Sequence, residues 1–260
     1  MEAFSDGQGK YLQIGTSEIY YQMEGRTDGP FLLILHGGLG TMEDTAVLHP
    51  NLYKHFSVIK LDSRGHGRST LGSEKLTYER IQHDVEQVLH HLNINTLSVL
   101  GFSDGGIVAY RLAAFSGLNI KKIITIGATW HYKNIETTRP IFEKLTAQSW
   151  TEKFPDTVKL YERLNAQPDF EKLVEAAKVM WLDADASGHP NEAVNRITAP
   201  LLIVRGDKDH LTLVEDVIEL AHMVKNANVF IVPFAAHDAF NQQAEVIGKC
   251  VVDFLSQHNG

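Results

Sequence analysis

The chain holds a single cysteine, Cys250, so an internal disulfide is excluded. No run of like charge is long enough for a basic or acidic tail, and a formal charge of −8 at pH 7 argues against a nucleic-acid surface. No apolar stretch approaches the length of a membrane helix, and the opening Met-Glu-Ala-Phe-Ser-Asp-Gly has neither a basic nor an apolar segment. The expectation is a cytoplasmic protein without membrane or nucleic-acid partners. Metal-binding spacings are missing too, with no His-Glu-x-x-His and no cysteine pair. Internal repeats and low-complexity segments are also lacking. What is abundant is apolar side chain, 43% of 260 residues, enough for one α/β core with an inserted segment. Cys250 itself lies among Val246, Ile247, Val251, Phe254 and Leu255 and reads as part of a buried helix face.

The positive signal is Thr96 to Gly106, where an apolar run ends at Gly-Phe-Ser-Asp-Gly and a helical pattern begins. This is G-x-S-x-G in a strand, turn, helix setting. It places Ser103 on a tight turn with its hydroxyl over the sheet edge, and Gly101 and Gly105 let strand and helix pass closely. Ser103 is the candidate nucleophile. The rest of the chain has the same rhythm. Tyr11–Ile14 and Glu18–Met23 read as an edge hairpin about Gly15. Phe31–Leu35 is a continuous apolar run, the pattern of a strand covered on both faces, Phe56–Leu61 repeats the design with Ser57 and Lys60 interposed, and each opens into a glycine-rich loop. Ile81, Val85, Val88, Leu89 and Leu92 mark an amphipathic helix over 77–92, capped by Thr77. A helix over 104–116 and strands over 121–126, 200–205 and 228–232 follow, with a helix over 213–224 and another at the end. Strands alternating with helices predict a doubly wound, mostly parallel sheet.

Between 130 and 195 the apolar positions fall at helical spacing and no buried strand appears, so a helical lid over 130–195 is expected to interrupt a core of 1–129 and 196–260. All three tryptophans lie in that insertion. Trp130 and Trp181 are candidates for lining a substrate pocket, while most of its aromatics are expected to pack it onto the core.

In open parallel sheets the loops beyond the carboxyl ends of the strands converge on one crevice. Those loops supply Ser103, then Asp207 or Asp209, then His237, the histidine that follows the last predicted strand among small neighbours. His36 and His66 also lie near the crevice and read as hydrogen-bonded loop architecture, as does Asp62.

At this point the sequence resembles the α/β-hydrolase fold superfamily over essentially the whole chain outside the insertion. Four pieces carry the likeness: His36-Gly37-Gly38, the stretch Asp62-Ser63-Arg64-Gly65-His66-Gly67-Arg68-Ser69, Gly101-Phe102-Ser103-Asp104-Gly105, and Gly206-Asp207-Lys208-Asp209 with the late His237. The resemblance implies an eight-stranded sheet and a cofactor-free, metal-free serine hydrolase acting on a small ester or amide with water. It favours Asp209 over Asp207 as the acid that orients His237, and the backbone N–H groups of Gly38 and Asp104 as the oxyanion hole. Gly-Phe-Ser-Asp-Gly-Gly also looks like the elbow of valacyclovirase-like amino-acid ester hydrolases, although simple carboxylesterases share it. Asp104 is then a candidate anchor for a substrate ammonium, or a cap for the helix that begins there. Asp183 and Asp185 are further candidates for the anchor. Carbon–carbon bond hydrolases, perhydrolases or haloperoxidases, proline-iminopeptidase-like enzymes and ligand sensors are built on the same triad.

Overall fold

The computed structural model describes residues 8–257. The opening segment 1–7, on which the expectation of a cytoplasmic protein partly rests, lies outside them. Among the described residues no helix is long and apolar enough to cross a membrane.

Eight strands form one sheet: β1 Lys10–Ile14, β2 Ser17–Gly25, β3 Phe31–Leu35, β4 Ser57–Leu61, β5 Thr96–Phe102, β6 Asn119–Ile126, β7 Leu201–Gly206 and β8 Ala227–Val232. Their order across the sheet is β1-β2-β4-β3-β5-β6-β7-β8. The predicted edge hairpin is there, with β1 antiparallel to β2 and β2 antiparallel to β4, and every later pairing is parallel. Strand β6 starts at Asn119, two residues before its predicted start. Its polar opening is exposed, so no apolar pattern marks it, but Asn119 pairs with Thr96 and its N–H reaches the Asn95 carbonyl at 2.8 Å.

The helices are α1 His49–Leu52, α2 Tyr78–His91, α3 Asp104–Phe115, α4 Arg139–Lys144, α5 Ala147–Lys153, α6 Pro155–Leu164, α7 Phe170–Trp181, α8 Val214–Met223, α9 Ala239–Gln242 and α10 Ala244–Ser256. As expected, Thr77 caps α2, its hydroxyl accepting the Arg80 N–H at 3.0 Å. Alternation along the central strands sorts the core into two layers. Leu33, Leu35, Val99 and Ile203 join α2, α3 and α8 on one face, and Leu32, Ile34, Leu100 and Val204 join α9 and α10 on the other. Cys250 is half-buried at the edge of the second layer rather than buried as its spacing predicted, and Val246, grouped with it, is exposed.

Between β6 and β7 the described chain is helical, running through α4 to α7 with short 3₁₀ turns at Tyr132–Ile135 and Asn191–Arg196. Pro140 and Pro155 occupy first-turn positions of α4 and α6, where the missing N–H costs no helical bond. The Thr146 and Ser149 side chains cap α5 reciprocally.

Candidate active site

Strand β5 ends at Phe102, and Ser103 turns the chain into α3 with φ 51° and ψ −118°, a sparsely populated conformation that costs about 1–3 kcal/mol. The turn is held by the Ser103 N–H on the Ile126 carbonyl at 2.9 Å and by the Gly106 N–H on the Ser103 carbonyl at 2.8 Å. Glycine at 105 is a packing requirement, because a Cβ there would meet the Leu35 carbonyl oxygen at 2.4 Å. Helix and neighbouring strand therefore touch backbone to backbone, and this aims Ser103 outward.

His237 comes from the loop after β8 and Asp209 from the loop after β7. Ser103 Oγ donates to His237 Nε2 at 3.0 Å, and His237 Nδ1 donates to Asp209 Oδ2 at 2.9 Å. The carboxylate fixes that direction, since it can only accept. Asp209 Oδ1 also takes the Leu211 N–H at 2.8 Å and the Thr212 N–H at 3.3 Å. Burial pushes the Asp209 carboxyl up, but the His237 bond and charge with those two amides outweigh it and hold it below the usual carboxylate range. Behind it, the Arg205 guanidinium donates to the carbonyls of Thr212 and Asp209 at 2.6 and 2.8 Å and fixes the loop. The rival acid, Asp207, is engaged elsewhere and accepts the Ala235 N–H at 3.1 Å.

Gly127, at the end of β6, was not singled out from sequence. It has φ +60°, and a Cβ there would lie 3.0 Å from the His237 ring and 3.2 Å from Asp209 Oδ2. Glycine makes room for the imidazole. The apolar strand Lys121–Ile126 ending in a glycine was the available clue.

The His36-Gly37-Gly38 loop lies against the elbow. A Cβ on Gly37 would stand 3.2 Å from Ser103 Cβ, and one on Gly38 would stand 2.5 Å from Asp104 Oδ2. Both histidines of this rim have the structural roles expected of them. His36 Nε2 accepts the Ser63 N–H at 2.8 Å, tying the loop after β3 to the loop after β4, and His66 Nδ1 donates to the Arg64 carbonyl at 2.9 Å. Asp62 receives the Met42 and Arg68 N–H groups, each at 2.9 Å. Complete burial drives the pKa of both His36 and His66 down to about 4.

Ser103 and His237 open on a cavity of about 560 Å³. One wall is the sheet rim, with Gly38, Leu39 and Asp104. The other comes from the helical segment between β6 and β7, through Ile135, Phe142, Leu145, Trp150, Phe154 and Trp181. Such a cavity, apolar with a few polar points, suits a small organic molecule. Asp44 also lines it, and burial raises its carboxyl to about 6.

Asp104 does not cap α3 with its side chain. Its carboxylate accepts the Tyr78 hydroxyl at 2.9 Å and the Trp181 indole N–H at 2.8 Å. Among the described residues it forms no ion pair. Burial raises its carboxyl above the usual range, against the pull of these two bonds. Trp181 thus lies where expected, on the cavity wall. Trp130 does not. It is 2% exposed, it donates its indole N–H to the Asp216 carbonyl at 3.0 Å, and the apolar interior of the main core cluster encloses it. Asp183 is likewise occupied, accepting from the Asp185 N–H and the Ser187 hydroxyl in its own turn, and neither Asp183 nor Asp185 lines the cavity.

Residues 30–165 match the family model described as the alpha/beta hydrolase fold. The chain belongs to the α/β hydrolase fold family. Relatives along nearly the whole chain agree with that membership. The human serine hydrolase BPHL is 29% identical, with 92% of this chain and 83% of BPHL covered. A putative esterase/lipase of Haemophilus influenzae is 21% identical, with 92% and 88% covered. A hydrolase of Pseudomonas aeruginosa superposes with a TM-score of 0.80 over 97% of this chain and all of its own, at 20% identity, a likeness that carries the fold alone. As a member of this family the protein is a hydrolase-fold enzyme.

Proposed function

We propose that the protein is a serine hydrolase that cleaves a small carboxylic ester through an acyl-enzyme on Ser103, and that it prefers esters with an α-amino group. The observation that carries the reading is the unbroken line of hydrogen bonds from Asp209 through His237 to Ser103, opening on the cavity.

A serine hydroxyl is a poor nucleophile at neutral pH, so the step needs a base in contact with it. Ser103 Oγ bonds to the ester carbonyl carbon as His237 Nε2 takes its proton. The negative oxygen of the tetrahedral intermediate rests on the N–H groups of Gly38 and Asp104, each worth about 3 kcal/mol to the barrier. His237 then protonates the departing alkoxide, leaving the acyl group on Ser103. Water, deprotonated by the same imidazole, attacks that acyl group and releases the acid. Asp209 keeps Nδ1 protonated and stabilises the imidazolium formed in both halves. The 130–195 segment acts as the lid, and its aromatic wall excludes water and strengthens the electrostatics beneath it.

Asp104 supports the amine preference. Among the described residues its carboxylate is met by two neutral donors and no ion-pair partner, close to the nucleophile, so its charge is available to a substrate ammonium. An ion pair at about 4 Å is worth roughly 4 kcal/mol in a partly desolvated site but about 0–1 kcal/mol when wet.

The test is kcat/KM for benzyl L-alaninate against benzyl propionate at one pH. The expected result is at least a tenfold preference for the amine that Asp104→Asn abolishes, with Ser103→Ala losing on the order of 10⁴-fold or more in kcat for both esters. Equal rates for the two esters would leave a plain carboxylesterase. Full activity in Ser103→Ala would overturn the mechanism.

A further inference from the structure

The loop after β3 brings a second carboxylate to the cavity. Past the turn Gly37 to Gly40, which lies against the elbow, the chain closes a further turn from Thr41 to Asp44. The Asp44 N–H donates to the Thr41 carbonyl at 3.0 Å, and Asp44 Oδ1 accepts the Thr41 N–H at 3.1 Å and its hydroxyl at 3.4 Å. The Met42 N–H, held by Asp62 at 2.9 Å, pins this turn to the loop after β4. One oxygen of Asp44 is therefore committed to the turn. The other, Oδ2, lies over Gly40, where a Cβ would collide with it, and Gly40 and Asp44 both line the cavity. Among the described residues Oδ2 forms no hydrogen bond and Asp44 no ion pair. Nor is Oδ2 one of the sealed polar atoms that lack a partner, so it stands open on a half-buried residue of the cavity wall.

No resident cation answers this oxygen. The charges that weigh most on Asp44 are those of Asp62 and Glu43, both negative, and with burial they raise its carboxyl to about 6. It is still ionised at neutral pH. Lys153, the lysine on the cavity wall, stands over the Phe154 ring at 5.2 Å instead. Asp104 lies elsewhere on the same loop, against Gly38, and a phenol and an indole occupy both of its oxygens. A half-dry carboxylate with one open oxygen favours a cation that donates to it, because a charge-assisted hydrogen bond is about twice as strong as a neutral one.

We infer that Asp44 is a specificity-determining residue whose Oδ2 accepts a hydrogen bond from an ammonium group that the substrate carries away from its scissile ester. This rests on the reading of the cavity as the substrate site of an esterase, not on Asp104 as the anchor of an α-amino group.

The probes are two isosteric pairs of esters without an α-amino group. Dimethylaminoethyl butyrate against isopentyl butyrate puts the cation on the alcohol half, and benzyl ε-aminohexanoate against benzyl heptanoate puts it on the acyl half. The wild-type enzyme is expected to prefer the cation about tenfold in at least one pair, chiefly through KM. Asp44→Asn keeps the Oδ1 acceptor for Thr41 and removes the charge. It is expected to abolish that preference and to change kcat/KM for the neutral ester less than threefold, whereas Asp104→Asn is expected to leave the preference in place. No preference in either pair, or equal losses on the cationic and the neutral ester in Asp44→Asn, would overturn the inference. So would a preference that Asp104→Asn abolishes and Asp44→Asn spares. If no ester is turned over, the esterase reading itself fails, and calorimetric binding of phenethylammonium to the wild-type protein decides on Asp44. A Kd about tenfold weaker in Asp44→Asn would support it, and an unchanged Kd would overturn it.

Discussion

Asp209 and Asp104 are both withdrawn carboxylates beside the same cavity, yet their surroundings push them in opposite directions. At the sheet rim Asp209 is bonded to an imidazole and two backbone amides, and its carboxyl is held low. On the same rim, next to Ser103, Asp104 meets a phenol and an indole, and its carboxyl is held high. Ser103, His237 and Asp209 are each answered by another side chain, whereas among the described residues buried polar atoms without partners occur on both sides, Thr212 Oγ1 beside Asp209 and His189 Nδ1 and Trp150 Nε1 in the helical segment. A satisfied network holds one geometry against displacement.

The largest blow to the rim is Asp209→Asn. The amide stabilises neither the required tautomer nor the imidazolium, and kcat should fall by about 10³ to 10⁴ for both benzyl esters while their ratio stays constant. A shifted ratio would mean that rim and wall are not separable. Rapid-quench or spectrophotometric kcat on the purified variant decides it.

Next in size is an acid effect to which the rim contributes two histidines. His36 and His66 titrate near 4 when folded and near 6.5 when unfolded. Their contribution is complete above pH 6.5 and is lost as pH falls toward 4, because the unfolded chain takes up the protons first. Each imidazole then withdraws up to about 3 kcal/mol between pH 6.5 and pH 4. Urea unfolding at pH 7 and pH 5 should show this loss, and His66→Asn, which keeps a donor toward the Arg64 carbonyl, should flatten the slope by one proton. An unchanged slope would place a charged His66 in the folded protein.

The smallest effects come from making one change at two tryptophans. Trp130→Phe gives up a core indole and its bond to the Asp216 carbonyl, so stability should fall by about 1–3 kcal/mol with the amine-to-propionate ratio unaltered. Trp181→Phe removes a donor from Asp104 and should lower that ratio several-fold. If both variants move the ratio alike, Trp130 reaches the substrate by a route other than the cavity wall.

Much of this was legible in the sequence because the signals were local. Continuous apolar runs such as Phe31–Leu35 marked doubly covered strands, and Gly101 and Gly105 marked a turn only a close strand–helix pass requires. The choice of Asp209 over Asp207 and the structural part of His36 and His66 came from the resemblance and from loop position, and the geometry gives each a matching set of partners. Trp130 and Trp181 looked alike because helical spacing says which residues are apolar but not which face meets a cavity. Tyr78 and Gly127 were missed for a related reason, since each acts through a neighbour at least 26 positions away in the chain.

The order of strands and helices, the turn at Ser103 and the chain order Ser103, Asp209, His237 were determined by the sequence itself. They depend on period, steric allowance and hydrogen-bonding capacity within a few residues. What only the tertiary structure decided is what surrounds the cavity: that Asp104 is propped by Tyr78 and Trp181, and that Trp130 is sealed in the core. Those facts rest on how a helical segment some 60 residues long folds back over the sheet. Its own apolar pattern fixes that it is buried somewhere but not against what, because the hydrophobic effect is non-directional.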